Sequence, residues 1–156
     1  MVIKRKEKVF NTSSSNESRQ LAEKLGTLVF PNTLITLNGP LGAGKTTFTQ
    51  GLAKGLGIQR KVTSPTFNIL KIYKGRLPLY HIDAYRLEDI EQDLGFEEYI
   101  DSDGVCVIEW SDLLRGLLPD DRLNISLEIM EDDSRKLTFT AQGEQYERLL
   151  EELCTL

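Results

Sequence analysis

The stretch 34-LITLNGPLGAGKTT-47 limits what this chain can fold into more than any other. The apolar run LITLN reads as a buried strand, and it stops at a loop with three glycines followed by Lys45, Thr46 and Thr47. Gly39, Gly44, Lys45 and Thr46 complete the pattern G-x-x-x-x-G-K-[ST]. A loop that turns several backbone N–H groups inward on an anion needs positive φ, which glycine adopts without steric cost. After the loop, 45-KTTFTQGLAKGL-56 places Phe48, Leu52 and Leu56 at helical spacing, with Gly57 as the stop. That helix aims the positive end of its dipole at the loop. Residues Gly39, Pro40, Leu41, Gly42, Ala43, Gly44, Lys45, Thr46 and Thr47 therefore read as a phosphate cradle. Lys45 is expected to reach the β- and γ-phosphates, and the Thr46 hydroxyl to bind Mg²⁺.

The rest of the chain alternates strands with helices. Serines in 11-NTSSSNES-18 read as a turn and N-cap for a helix over 17-ESRQLAEKLGTL-28, whose apolar positions are Leu21, Ala22, Leu25 and Leu28. The segment 61-KVTSPTFNILKIY-73 begins as a loop and becomes a strand with Phe67 and Ile69 alternating and Ile72 a further candidate. Further strands are predicted at 78-PLYHID-83 and 105-VCVIEW-110, with an acidic helical stretch, broken at Gly95, over 86-RLEDIEQDLGFEEYI-100. Two β-like runs, 122-RLNISLEI-129 and 135-RKLTFTA-141, flank the acidic turn 131-EDDS-134 and are expected to form a hairpin at the sheet edge. A helix over 144-EQYERLLEEL-153 closes the pattern. The expectation is an α/β layered fold of the phosphate-loop type, with a mainly parallel central sheet, flanking helices and a C-terminal antiparallel hairpin. With no internal repeat and only 156 residues, 1–156 reads as a single domain.

Composition narrows the function. A formal net charge of -5 gives no general pull toward nucleic acid. Cys106 and Cys154 stand far apart, which argues against a zinc site or disulfide framework and fits a reducing cytoplasm. No apolar run approaches the ~20 residues needed to span a bilayer. The start, 1-MVIKRKEKVF-10, lacks the apolar core of a secretory signal.

A phosphate loop of this kind needs a carboxylate at the end of a neighbouring strand for the Mg²⁺ shell. Glu109, after 105-VCVI-108, and Asp83, after 79-LYHI-82, are both candidates. His81, the only histidine, reads on spacing alone as a hydrogen-bonded structural residue. The loop 63-TSPTF-67 reads equally as an ordinary turn or as a switch segment in which Ser64 or Thr66 senses the γ-phosphate. No N/T-K-x-D stretch, the usual mark of guanine specificity, occurs, which favours ATP.

Taken in order, 39-GPLGAGKTTF-48, 64-SPTF-67, 81-HIDAYR-86 and 107-VIEW-110 resemble the TsaE (YjeE) family over nearly the whole chain. These are small bacterial ATPases required for making threonylcarbamoyladenosine in tRNA. The resemblance implies ATP and Mg²⁺ as ligands, with Lys45 and Thr46 on phosphate and metal, Glu109 completing the metal site and Asp83 near the γ-phosphate. It gives functional weight to Ser64, Thr66, His81, Tyr85 and Arg86 as switch-like positions. Thr12 and Arg135 become candidates for contacts to adenine. Pro40 departs from the Asp or Asn of many relatives and removes one backbone N–H. The implied partners are TsaD- and TsaB-like subunits, with tRNA reached through that complex. On the residues alone, two rivals stay open: a small-molecule kinase, and a binding module that uses ATP only to order residues 63–67. The acidic, arginine-poor stretch 131–134 disfavours the lid a kinase needs.

Overall fold

The computed structural model describes residues 5–63, 70–83, 96–109 and 118–155. Seven strands among these form one mixed sheet: β1 (Arg5–Thr12), β2 (Thr33–Asn38), β3 (Leu70–Tyr73), β4 (Leu79–Asp83), β5 (Val105–Glu109), β6 (Arg122–Ile129) and β7 (Arg135–Gln142). The helices are α1 (Ser15–Leu28), α2 (Lys45–Gly55), α3 (Phe96–Ile100) and α4 (Glu144–Thr155). Strand order is β1-β7-β6-β2-β5-β4-β3. The central four, β6-β2-β5-β4, run parallel; β7, β1 and β3 are antiparallel to their neighbours.

Two expectations change here. The hairpin β6–β7 is not at the edge, because β1 pairs with β7 along its whole length, Arg5 opposite Gln142 through Thr12 opposite Arg135. The polar, lysine-bearing β1 takes the exposed edge, a common protection against further pairing. In β3 the inward position belongs to Tyr73, while Ile72 faces outward. Tyr73 reaches the large core cluster and its hydroxyl accepts from the Thr63 N–H, while Leu70 packs against the smaller cluster on the other face; Phe67 and Ile69 lie outside the described residues.

The pleat sorts the core into two layers. In β5, Val105 and Val107 join the large cluster with Phe48, Leu52 and Leu25, whereas Cys106 and Ile108 join a smaller one with Leu34, Ile82 and Ile100. All five β5 residues are buried, as expected of a parallel strand with neighbours on both sides and cover on both faces. Helix α1 is capped by Ser14, whose hydroxyl accepts from the Glu17 N–H, and Glu17 in turn accepts from the Ser13 N–H. Its buried stripe is Ser18, Ala22, Leu25 and Gly26, so Leu21 and Leu28 stand only half-buried at its margins. Among the described residues, no helix is long and apolar enough to cross a membrane.

Candidate functional site

The loop after β2 takes its shape from two glycines. Ala43 N–H donates to Pro40 O, closing a four-residue turn whose third residue, Gly42, has φ +83°. Gly44, at φ +105°, starts α2, and the helical ladder begins with Phe48 N–H to Gly44 O. Gly39 seats the loop against β6: a Cβ there would fall 2.6 Å from the Leu127 carbonyl oxygen. Pro40 is exposed, and Leu41 at the tip is 92% exposed.

Lys45 turns back under this loop. Its Nζ donates to Gly39 O at 2.6 Å and Pro40 O at 3.3 Å, and the residue is only 8% exposed. Burial pulls the ammonium below the ordinary lysine range, while the negative charges of Glu109 and Asp83 act to raise it. Those two carboxylates are neighbours because the parallel register puts Asp83 opposite Glu109, and Glu109 opposite Leu37 at the end of β2. The sheet therefore delivers one cation and two carboxylates to the same ends of adjacent parallel strands, where open α/β sheets bind ligands. Glu109 is 4% exposed, as its apolar run predicts, and its Oε2 lies 2.7 Å from His81 Nε2. Thr46 lies half-buried in the first turn of α2, and the neighbouring Thr49 hydroxyl donates to Lys45 O.

Beside the loop, on the side away from the carboxylates' strands, lies an open cleft of about 270 Å³. Its walls are Ser14 and Ser18 from the start of α1, Gly42, Gly44 and Thr47 from the loop and α2, and Asp133 with Arg135 from the β6–β7 turn. Arg135 ties the two sides together: Nε donates to Ala43 O at 3.2 Å, Nη2 to Gly42 O at 3.5 Å and Nη1 to Asp133 O at 2.6 Å. Asp133 holds φ +67° at this turn. Thr12, opposite Arg135 in the β1–β7 register, is buried behind the cleft, its hydroxyl 2.7 Å from that of Ser18. The cleft serines and Asp133 were not singled out from sequence as ligand-facing. The serine run 13–15 was a usable signal, because residues that cap a helix start also line whatever lies against that start.

Among the described residues, no three His, Cys, Asp or Glu side chains gather into a protein-only metal cage. Glu109 and Asp83 end adjacent strands in register, and Thr46 stands in the first turn of α2; hard oxygen donors of this kind suit Mg²⁺, which binds through one or two carboxylates plus substrate phosphates. Ser64, Thr66, Tyr85, Arg86 and Trp110 lie outside the described residues.

Comparison with known proteins gives a consistent result. Residues 12–137 match the family model for the threonylcarbamoyl adenosine biosynthesis protein TsaE. The tRNA threonylcarbamoyladenosine biosynthesis protein TsaE of Bacillus subtilis is 50% identical over 145 residues, covering 92% of either chain. Its namesake in Treponema pallidum is 43% identical over 127 residues, covering 80% of this chain and 94% of that protein. The crystal structure of B. subtilis YdiB superposes with a TM-score of 0.86 at 42% identity, over 99% of this chain and 98% of that one.

Proposed function

This chain belongs to the TsaE family, and on that premise we propose that it binds and hydrolyses Mg²⁺-ATP as an accessory subunit for threonylcarbamoyladenosine modification of adenosine 37 in tRNA. It acts on a complex of TsaD- and TsaB-like subunits in the cytoplasm and meets tRNA through them. The observation that carries this reading is Lys45, buried between the loop carbonyls and under the influence of both Glu109 and Asp83.

Phosphoryl transfer to water is catalysed by positioning and by stabilising charge already aimed at the transferring group. In this chain Lys45 supplies the positive charge, and the α2 N-terminus adds N–H groups with no helical partner of their own. Gly42 and Gly44 leave open space where a side chain would otherwise intrude, since a Cβ on Gly42 meets nothing within 4 Å and one on Gly44 meets only Leu127, at 3.9 Å. Glu109 and Thr46 would hold Mg²⁺, which when bound neutralises charge on the β- and γ-phosphate oxygens. Asp83 stands beside Glu109 to orient the attacking water, and the cleft bounded by Ser18, Asp133 and Arg135 takes the adenine. Of the arginines, Arg86 is the best internal candidate for adding charge in the transition state. Intrinsic turnover is accordingly expected to be slow and to rise in the complex.

The test is hydrolysis with and without the partner subunits and tRNA, for wild type and Lys45→Ala. The expected result is partner-stimulated turnover in wild type and a loss of at least about 10²-fold in the variant, the scale on which a directed positive charge acts. Calorimetry finding no association of wild type with Mg²⁺-ATP would overturn the reading. A phosphorylated metabolite as product would instead favour a kinase.

A further inference from the structure

The hydrogen bond behind Glu109 is not accounted for by phosphate binding. His81 and Glu109 sit on adjacent strands, β4 and β5, and on the same face of the sheet, because Leu79, Val105 and Val107 all join the cluster under α2. In register, Glu109 faces Asp83 and His81 faces Val107, so the imidazole reaches diagonally across the strand pair to Oε2. Both side chains are out of solvent, His81 completely. The other ring nitrogen, Nδ1, is buried and meets no hydrogen-bond partner among the described residues.

That arrangement selects a tautomer. A proton on Nδ1 would leave a buried N–H donor without an acceptor, which is among the rarest features of folded proteins. It would also set the Nε2 lone pair against the lone pairs of the carboxylate. A proton on Nε2 avoids both, since it donates to Oε2 and leaves only an unpartnered acceptor at Nδ1. We infer that His81 is a positioning residue: as the neutral Nε2–H tautomer it fixes the Glu109 carboxylate through Oε2 and leaves Oε1 for the chemistry at the strand ends. The inference rests on the functional reading above, in which Glu109 serves a Mg²⁺-nucleotide. Its logic is that of metal sites generally, where the group that orients a ligand matters nearly as much as the ligand. It also turns the adjacent H-x-D spacing into a device, since the strand that carries Asp83 is the one that holds Glu109 in place.

The chain contains a single histidine, so ¹⁵N-histidine NMR reports this ring without assignment. In the chain without nucleotide, one slowly exchanging Nε2–H tautomer is expected. A Nδ1–H tautomer, or a freely averaging ring, overturns the inference. The second arm is calorimetry of ATP binding, in Mg²⁺ and in EDTA, for wild type, His81→Leu and His81→Gln. Affinity in EDTA should stay within about twofold in both variants, because Lys45 and the loop hold the phosphates. The Mg²⁺-dependent gain should fall about 10–100-fold in His81→Leu and largely return in His81→Gln, whose amide N–H can reach the same carboxylate oxygen. A leucine variant equal to wild type, or a glutamine variant no better than leucine, sinks the inference while leaving the site's reading intact. If wild type binds ATP in neither medium, both fail. If His81→Leu does not fold, the wild-type spectrum and the glutamine variant decide the matter.

Discussion

Gly51, in the middle of α2, gives a prediction whose sign separates two physical effects. On an exposed helix, Gly→Ala gains about 1 kcal/mol from restricted backbone freedom. Here the helix lies against α1, and a Cβ on Gly51 would press on the Arg19 carbonyl oxygen and stand 2.9 Å from both Ala22 Cβ and Arg19 Cα. Carbon atoms rest about 3.5–4.0 Å apart, so α1 must retreat by roughly 0.5–1 Å, enough to forfeit a quarter to a half of each dispersion contact across the crossing. Two of the three obstacles are backbone and cannot rotate away. Overpacking of this kind costs about 1–3 kcal/mol, and its upper end applies when the neighbour is a whole helix. Subtracting the propensity gain leaves a net loss of about 1–2 kcal/mol, or a fall in Tm of roughly 2–8 °C for a chain of this size. Urea unfolding of wild type and Gly51→Ala, with equal slopes, measures it directly. Since Ser18 of the cleft wall lies one turn before Ala22 on α1, affinity for ATP should drop as well. A variant more stable than wild type by about 1 kcal/mol, as free-helix propensity demands, would show that the α1–α2 crossing is not tight.

Three further outcomes are expected. Burial pushes the Cys106 thiol up to about 12, whereas an exposed thiol titrates near about 8.5; between those values the folded chain keeps a proton the unfolded chain has lost. Stability must therefore fall as pH rises above about 8.5, by up to about 1.4 kcal/mol per pH unit, and Cys106→Ala should remove that part of the slope in urea midpoints taken at several alkaline pH values. Parallel slopes would contradict it. Tyr146→Phe removes the hydroxyl that accepts from the Leu34 N–H at 2.8 Å, leaving a buried donor unpaired at a cost of about 1–3 kcal/mol in unfolding free energy. Arg135→Ala frees the loop carbonyls from the β6–β7 turn and should weaken ATP binding about tenfold by calorimetry, the scale of one hydrogen bond to a charged group. Unchanged affinity would mean the clamp has no part in binding.

The loop, the helix it opens and the two strand-end carboxylates are legible from residues adjacent in the chain. Each of these depends on contiguous residues: positive φ at Gly42 and Gly44, helical spacing of Phe48 and Leu52, and an apolar run that carries Glu109 inward. Which strands are neighbours is settled by three-dimensional packing alone. The alternation in 122–129 and 135–141 is the same at an edge as inside a sheet, so it could not announce that β1 would take the edge from β7. Nor could it announce that His81 grips a carboxylate 28 positions away, or that Arg135 reaches back 92 positions to the glycine loop. A local pattern fixes which face of a strand is buried. Which polar groups meet on that face depends on the register between strands, and register is settled only when the whole sheet closes on its shared core.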